Sequence, residues 1–87
     1  MPLSDTQKKK VVLNTVKAFH PTITGISFTT NFNTAFGEDG YAKHKYWTPI
    51  SHILRSNESY LRGQPPLFEP CDTVDDMALV VIENSLN

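Results

Sequence analysis

The side chains with the most chemical capacity fall in one stretch, Glu38-Asp39-Gly40-Tyr41-Ala42-Lys43-His44-Lys45-Tyr46-Trp47. Glu38 and Asp39 are adjacent carboxylates, the raw material of general acid–base chemistry. Neighbouring carboxylates in a glycine-flanked loop more often cap the next helix or stay solvated, and that is the reading taken here. Tyr41, Tyr46 and Trp47 are interleaved with Lys43, His44 and Lys45. Such a mixture can stack on bases or hold a phosphate. Large aromatics are usually mostly buried, so Trp47 and one tyrosine are expected in the core, with the cations left in water.

Three histidines and one cysteine raise the question of a metal. Zinc ligands come in closely spaced pairs. His44 and His52 are eight residues apart, His20 is distant and Cys71 stands alone, so the histidines read as surface groups. Nothing in the sequence around Cys71 marks it as a nucleophile. It reads as a small, partly buried residue just ahead of a helix. No nucleophile–base set and no ligand set can be assembled, so neither an enzyme nor a cofactor or metal is expected.

The elements that must position these residues are short. A chain of 87 residues is read as a single domain, 1–87, and 39% apolar residues suffice for one core. A domain this small buries only about 60% of the surface its unfolded chain exposes. Ser4-Asp5-Thr6-Gln7 has the form of a capping box. Val12, Leu13, Val16 and Phe19 then recur at helical spacing, which predicts a helix over 5–19. Lys8, Lys9 and Lys10 sit in its first turns and read as a solvated face. His20-Pro21 ends it, because the residue before proline avoids the helical region.

The run from Thr22 to Thr30 is rich in β-branched residues, and Ile26 and Phe28 alternate with polar neighbours. Propensity alone gives a strand, and with it a small α+β fold with a hairpin in 22–36. A long ordered loop that drops Ile26, Phe28 and Phe32 into a helical core has the same sequence signature. The fold expected first is mainly α, a bundle of three to four helices with a long first loop. Thr48-Pro49 predicts a cap and a helix over 49–56, with residues 41–47 as a separate turn and Tyr60-Leu61 as another. Gln64 to Pro70 reads as a rigid connector anchored by Leu67 and Phe68. Val74, Met77, Ala78, Val81 and Ile82 share one face of a final helix over 74–85. Asp75 and Asp76 lie in its first turn, where the helix dipole favours anions.

The formal net charge of −1 gives no general attraction to nucleic acid. No run approaches the roughly 20 apolar residues of a membrane span, and the N-terminal residues lack the pattern of a signal peptide. A single cysteine fits a reducing compartment. The expectation is a cytoplasmic protein whose partner is another protein, not a membrane or a nucleic acid.

Two patches resemble the acyl carrier protein family. One is Phe32-x-x-x-Phe36-Gly37-x-Asp39-Gly40-Tyr41, where carriers have Gly-x-Asp-Ser-Leu after a leucine. The other is Asp72-Thr73-Val74-Asp75-Asp76-Met77, similar to the Thr-Val-x-Asp-Leu that opens the last carrier helix. Ile26 also falls where carriers place an apolar residue in their first loop. The resemblance implies a carrier-shaped scaffold. Carriers bear phosphopantetheine on the serine that here is Gly40, so it also implies a scaffold that cannot be modified in that way. Tyr41 takes the place of a leucine and is expected to fill the core. The second carrier helix is acidic and continuous, whereas this one holds Lys43, His44, Lys45 and Pro49. Some carrier-like bacterial proteins are similar in having Gly-x-Asp-Gly at this point.

These readings converge on a non-catalytic protein–protein interaction module. Its expected partner-binding surface comprises Glu38, Asp39, Tyr41, Lys43, His44, Lys45 and Trp47. The alternative is a small modulator or inhibitor of a host protein, of the kind that phages and plasmids encode. Residues Ile23 to Phe28 separate the two folds, since pairing in a sheet there is incompatible with the carrier shape.

Overall fold

The computed structural model describes residues 2–61 and 68–86, apart from the side chains of Tyr60 and Leu61. Helix α1 spans Asp5–Phe19 and begins as its sequence dictates. Ser4 Oγ accepts from the Gln7 N–H at 3.2 Å, and Gln7 Oε1 accepts from the Ser4 N–H at 2.8 Å. This satisfies two of the donors that a helix start leaves without partners. Val12 and Val16 are fully buried and face α4. Lys8 is also buried, which corrects the reading of all three lysines as solvated. On the helical wheel it falls beside Val12 and Thr15, on the inner half of α1.

The chain leaves α1 at His20, whose N–H still reaches the Lys17 carbonyl at 3.1 Å. Residues 22–30 form a loop, and among the described residues they pair with no strand. The hairpin alternative is thereby overturned. Gly25 sits at a φ of +78°, which interrupts an extended run. Local hydrogen bonds then compete with a ladder, as serine and threonine favour. Ser27 N–H donates to Thr30 Oγ1 at 2.8 Å, and Thr30 N–H to the Ser27 carbonyl at 3.1 Å. The loop carbonyls are used by the start of the last helix instead. Asp75 N–H donates to the Phe28 carbonyl at 2.9 Å and Val74 N–H to that of Thr30 at 3.1 Å. Ile26 and Phe32 are buried and Phe28 packs against the core, as the ordered-loop reading requires.

Helix α2 is one short segment, Phe32–Phe36, capped by Asn31, whose Oδ1 accepts from Asn33 and Thr34 N–H at 2.9 and 3.0 Å. Gly37 closes it in the left-handed conformation. A 3-10 helix, Gly40–Tyr46, follows and runs directly into α3, Trp47–Ser56. The expected start at Pro49 moves to Trp47, and Thr48 lies inside the helix instead of capping it. Pro49 is tolerated because it falls in the first turn of α3, where its missing N–H has no intrahelical partner to lose. Ile50 and Leu54 are buried, while Ile53 remains 40% exposed.

Tyr60–Leu61 (β1) is not a helical turn. It pairs antiparallel with Ser85–Leu86 (β2), Tyr60 opposite Leu86 and Leu61 opposite Ser85. That pairing ends the last helix early: α4 spans Val74–Glu83. Its start is a second capping box, in which Thr73 Oγ1 accepts from Asp76 N–H and an Asp76 carboxylate oxygen accepts from Thr73 N–H. Val74, Met77, Ala78 and Val81 are buried, and Ile82 lies at the edge. Phe68 anchors the preceding connector in the core, while Leu67 lies outside the described residues. The protein is thus a small helical bundle in which α1 packs mainly on α4 and secondarily on α3. No described helix is long and apolar enough to cross a membrane.

Candidate functional site

Glu38 stands apart from the other acidic residues because it is buried. Gly37 turns the chain back on α2, and the Glu38 N–H donates to the Phe32 carbonyl at 3.1 Å. The carboxylate then points inward, between the end of α1 and the end of the 3-10 helix. There it meets three partners. Tyr46 Oη donates to Oε1, Lys45 Nζ pairs with Oε2, and His20 Nε2 lies 3.4 Å from Oε2. His20 Nε2 also lies 2.7 Å from Tyr46 Oη. The phenol has one proton and gives it to Glu38, so it can only accept from His20. That places a hydrogen on Nε2 of the imidazole.

The His20 ring is held flat against Phe36, with centroids 3.8 Å apart and planes 2° from parallel. Phe19 meets the Tyr46 ring edge-on at 5.0 Å. Burial, reinforced by the hydrogen bond to Glu38 and its charge, pushes the Tyr46 phenol well above the usual tyrosine range. It is therefore a neutral donor at neutral pH, not a base or a nucleophile. The cluster neutralises a buried carboxylate and ties α1 to the 3-10 helix.

Lys43 is turned inward as well. Its Nζ donates to the carbonyls of Glu69 and Cys71 at 2.7 and 2.6 Å, holding the end of the connector on the 3-10 helix. Cys71 is buried, and burial pushes its thiol up to about 11 against the opposing pull of Lys43. Reactive cysteines need the thiolate, so this one is inert at neutral pH. A polar pocket of about 130 Å³ lies over Lys43 and Cys71, between Asn31, Asp39 and Asp72. Among the described residues no group of three or more His, Cys, Asp or Glu could hold a metal ion.

The expected surface from Glu38 to Trp47 is thus divided. Glu38 and Lys43 are withdrawn into the interior, against the expectation that both stay wet. Asp39 is exposed, and its Oδ1 accepts from Gly40 N–H at 2.8 Å, which is the capping role anticipated for it. Gly40 opens the 3-10 helix with a φ of +55°. Tyr41 is 72% exposed and fills no core. His44 and Trp47 are half-buried against Phe68, and Lys45 is half-exposed above Phe19 and Tyr46. The tyrosine that fills the core is Tyr46.

Two features escaped the sequence reading. His20 joins the cluster from 26 residues away, which no local spacing signals. The second is an apolar groove of about 380 Å³ between α1 and α3, with Val11, Thr15, Ala18 and Phe19 on one wall and Pro49 and Ile53 on the other. A second apolar stripe on α1, offset from Val12 and Val16, was the available clue. Comparison of the chain with protein-family models, curated proteins and solved structures gives no match.

Proposed function

We propose that this chain is a non-catalytic protein-binding module of the cytoplasm. Its scaffold is similar in outline to a carrier protein, with glycine where carriers attach phosphopantetheine. One observation carries the reading. Four of the groups best able to do chemistry, Glu38, Tyr46, Lys43 and Cys71, are buried, while large side chains with apolar surface, Tyr41, Phe19 and Ile53, are left against solvent. Catalysis needs reactive groups within reach of a substrate, whereas binding energy at interfaces comes from aromatic and aliphatic anchors that lose their water. Gly40 at the first position of the 3-10 helix, after a capping aspartate, supports the carrier outline.

The test is a photo-crosslinking residue placed at Tyr41, and separately at Ile53, in cells producing the protein. A saturable adduct to a defined protein from either position is expected. Absence of any adduct from both would overturn the reading. In parallel, incubation with a phosphopantetheinyl transferase and coenzyme A should give no mass gain. Gly40→Ser should fold at a cost of about 1 kcal/mol, because serine dislikes a positive φ. Modification of that variant alone would favour the carrier outline.

A further inference from the structure

The groove between α1 and α3 has a rim of one sign. The chain has no acidic residue from Thr6 to Gly37 or from Gly40 to Asn57, so every residue of α1 after Asp5 and every residue of α3 is neutral or basic. Lys10 and Lys17 lie four residues before and three after Asn14, which lines the groove, and therefore flank it on the outer edge of α1. Both are exposed. His52, exposed, follows Pro49 by three residues on the other wall. Lys45 Nζ stands 5.6 Å from the Phe19 ring centre at one end, but its charge is already matched by the Glu38 carboxylate. The acidic side chains of α4, Asp75, Asp76 and Glu83, belong to a different helix, and Asp75 already pairs with Lys9 at 3.5 Å.

The floor is apolar and in part open: Phe19 is 42% and Ile53 40% exposed. From Val11 to Phe19 the α1 wall runs about 12 Å, enough for two to three turns of a guest helix. An apolar trough with basic edges fits a helix that has an apolar stripe and acidic flanks.

Resting on the protein-binding reading, we propose that the groove between α1 and α3 docks an acidic amphipathic helix of a partner protein. The guest places aliphatic side chains at i, i+3, i+4 and i+7 between Phe19 and Ile53. Its carboxylates lie along Lys10 and Lys17 on one side. A nucleic acid or an anionic membrane would be drawn by the same cations but has no ordered apolar stripe for the floor. A second copy of the chain would offer α4, whose outward face carries Leu79 between acidic residues. That contact is heterologous and would not close into a dimer.

The experiment uses the full chain, isotope-labelled, and helical peptides of about 14 residues, four turns. One carries a leucine stripe with glutamate flanks, a second the same stripe with lysine flanks, and a third the glutamate composition scrambled. The first is expected to shift the amide signals of Val11, Ala18, Phe19 and Ile53 and to bind at least about tenfold more tightly than the other two. Binding should weaken as salt rises. Ile53→Glu, and separately Lys10→Glu with Lys17→Glu, should each reduce affinity at least about tenfold while the melting temperature stays close to that of the parent. Equal binding of the scrambled or lysine-flanked peptide would overturn the proposal. So would shifts at these residues with an oligonucleotide or phosphatidylglycerol vesicles but not with the peptide, or self-association through them. A crosslinked partner whose capture is unaffected by Ile53→Glu would leave the protein-binding reading standing and remove the groove as its site.

Discussion

Tyr46→Phe removes one oxygen from the centre of the buried cluster and leaves the aromatic ring in place. The ring contacts with Phe19 and Phe32, at 5.0 and 5.6 Å, are therefore kept. What is lost is the donor to Glu38 Oε1 and the acceptor for His20 Nε2. A hydrogen bond to a charged group contributes about 1.5–3 kcal/mol, and leaving a buried acceptor short of a donor sets the cost. Lys45 and His20 still face the other carboxylate oxygen, and Lys45 is partly in water, so about 2 kcal/mol is the reasonable figure. A domain of this size loses roughly 4–8 °C of melting temperature per kcal/mol, which gives a fall of about 8–16 °C. Urea denaturation at neutral pH measures the energy, and a thermal scan by circular dichroism measures the shift. Glu38→Gln combined with Tyr46→Phe should cost less than the sum of the two single changes, because both remove the same bond. A melting temperature within about 2 °C of the parent, or strict additivity in the double variant, would refute the assignment of Glu38 as a carboxylate that depends on Tyr46.

Val81 is fully buried on the inner face of α4, so Val81→Asp should cost more than about 4 kcal/mol and leave the chain largely unfolded at neutral pH, and an unchanged far-ultraviolet spectrum and melting curve would contradict the packing of α4. The buried Cys71 thiol should react with an aromatic disulfide reagent only as fast as the protein opens, and reaction at the rate of a free thiol would contradict its burial. Its folded value, up to about 11, lies above the value in the unfolded chain, so its contribution to stability is whole below about pH 8.5 and is lost as pH rises towards 11. Tyr46, raised still further, adds to the same alkaline loss from about pH 10 upward, and Tyr46→Phe should flatten that limb of the stability curve.

Local chemistry was legible wherever the chain acts on its nearest neighbours. Ser4 and Gln7, and the apolar spacing of Val12, Val16, Met77 and Val81, specify two helices, since caps and helical stripes are relations across three or four residues. Asp39 as the cap ahead of Gly40 belongs to the same class. The exits and connections were decided in three dimensions. Residues 22–30 carry strand propensity, but a strand needs an edge to pair with, and the start of α4 took the carbonyls of Phe28 and Thr30 instead. Tyr60-Leu61 met Ser85-Leu86 and became a strand for the opposite reason. Which of the two tyrosines of the 3-10 helix is buried, Tyr46 or Tyr41, follows from how that helix rolls on α1. The same roll carries Glu38 and Lys43 inside, where the partners that neutralise them, His20 and the carbonyls of Glu69 and Cys71, come from distant parts of the chain. A charge reads as solvated in a sequence because its compensation is a tertiary contact, and only the folded chain brings that contact into range.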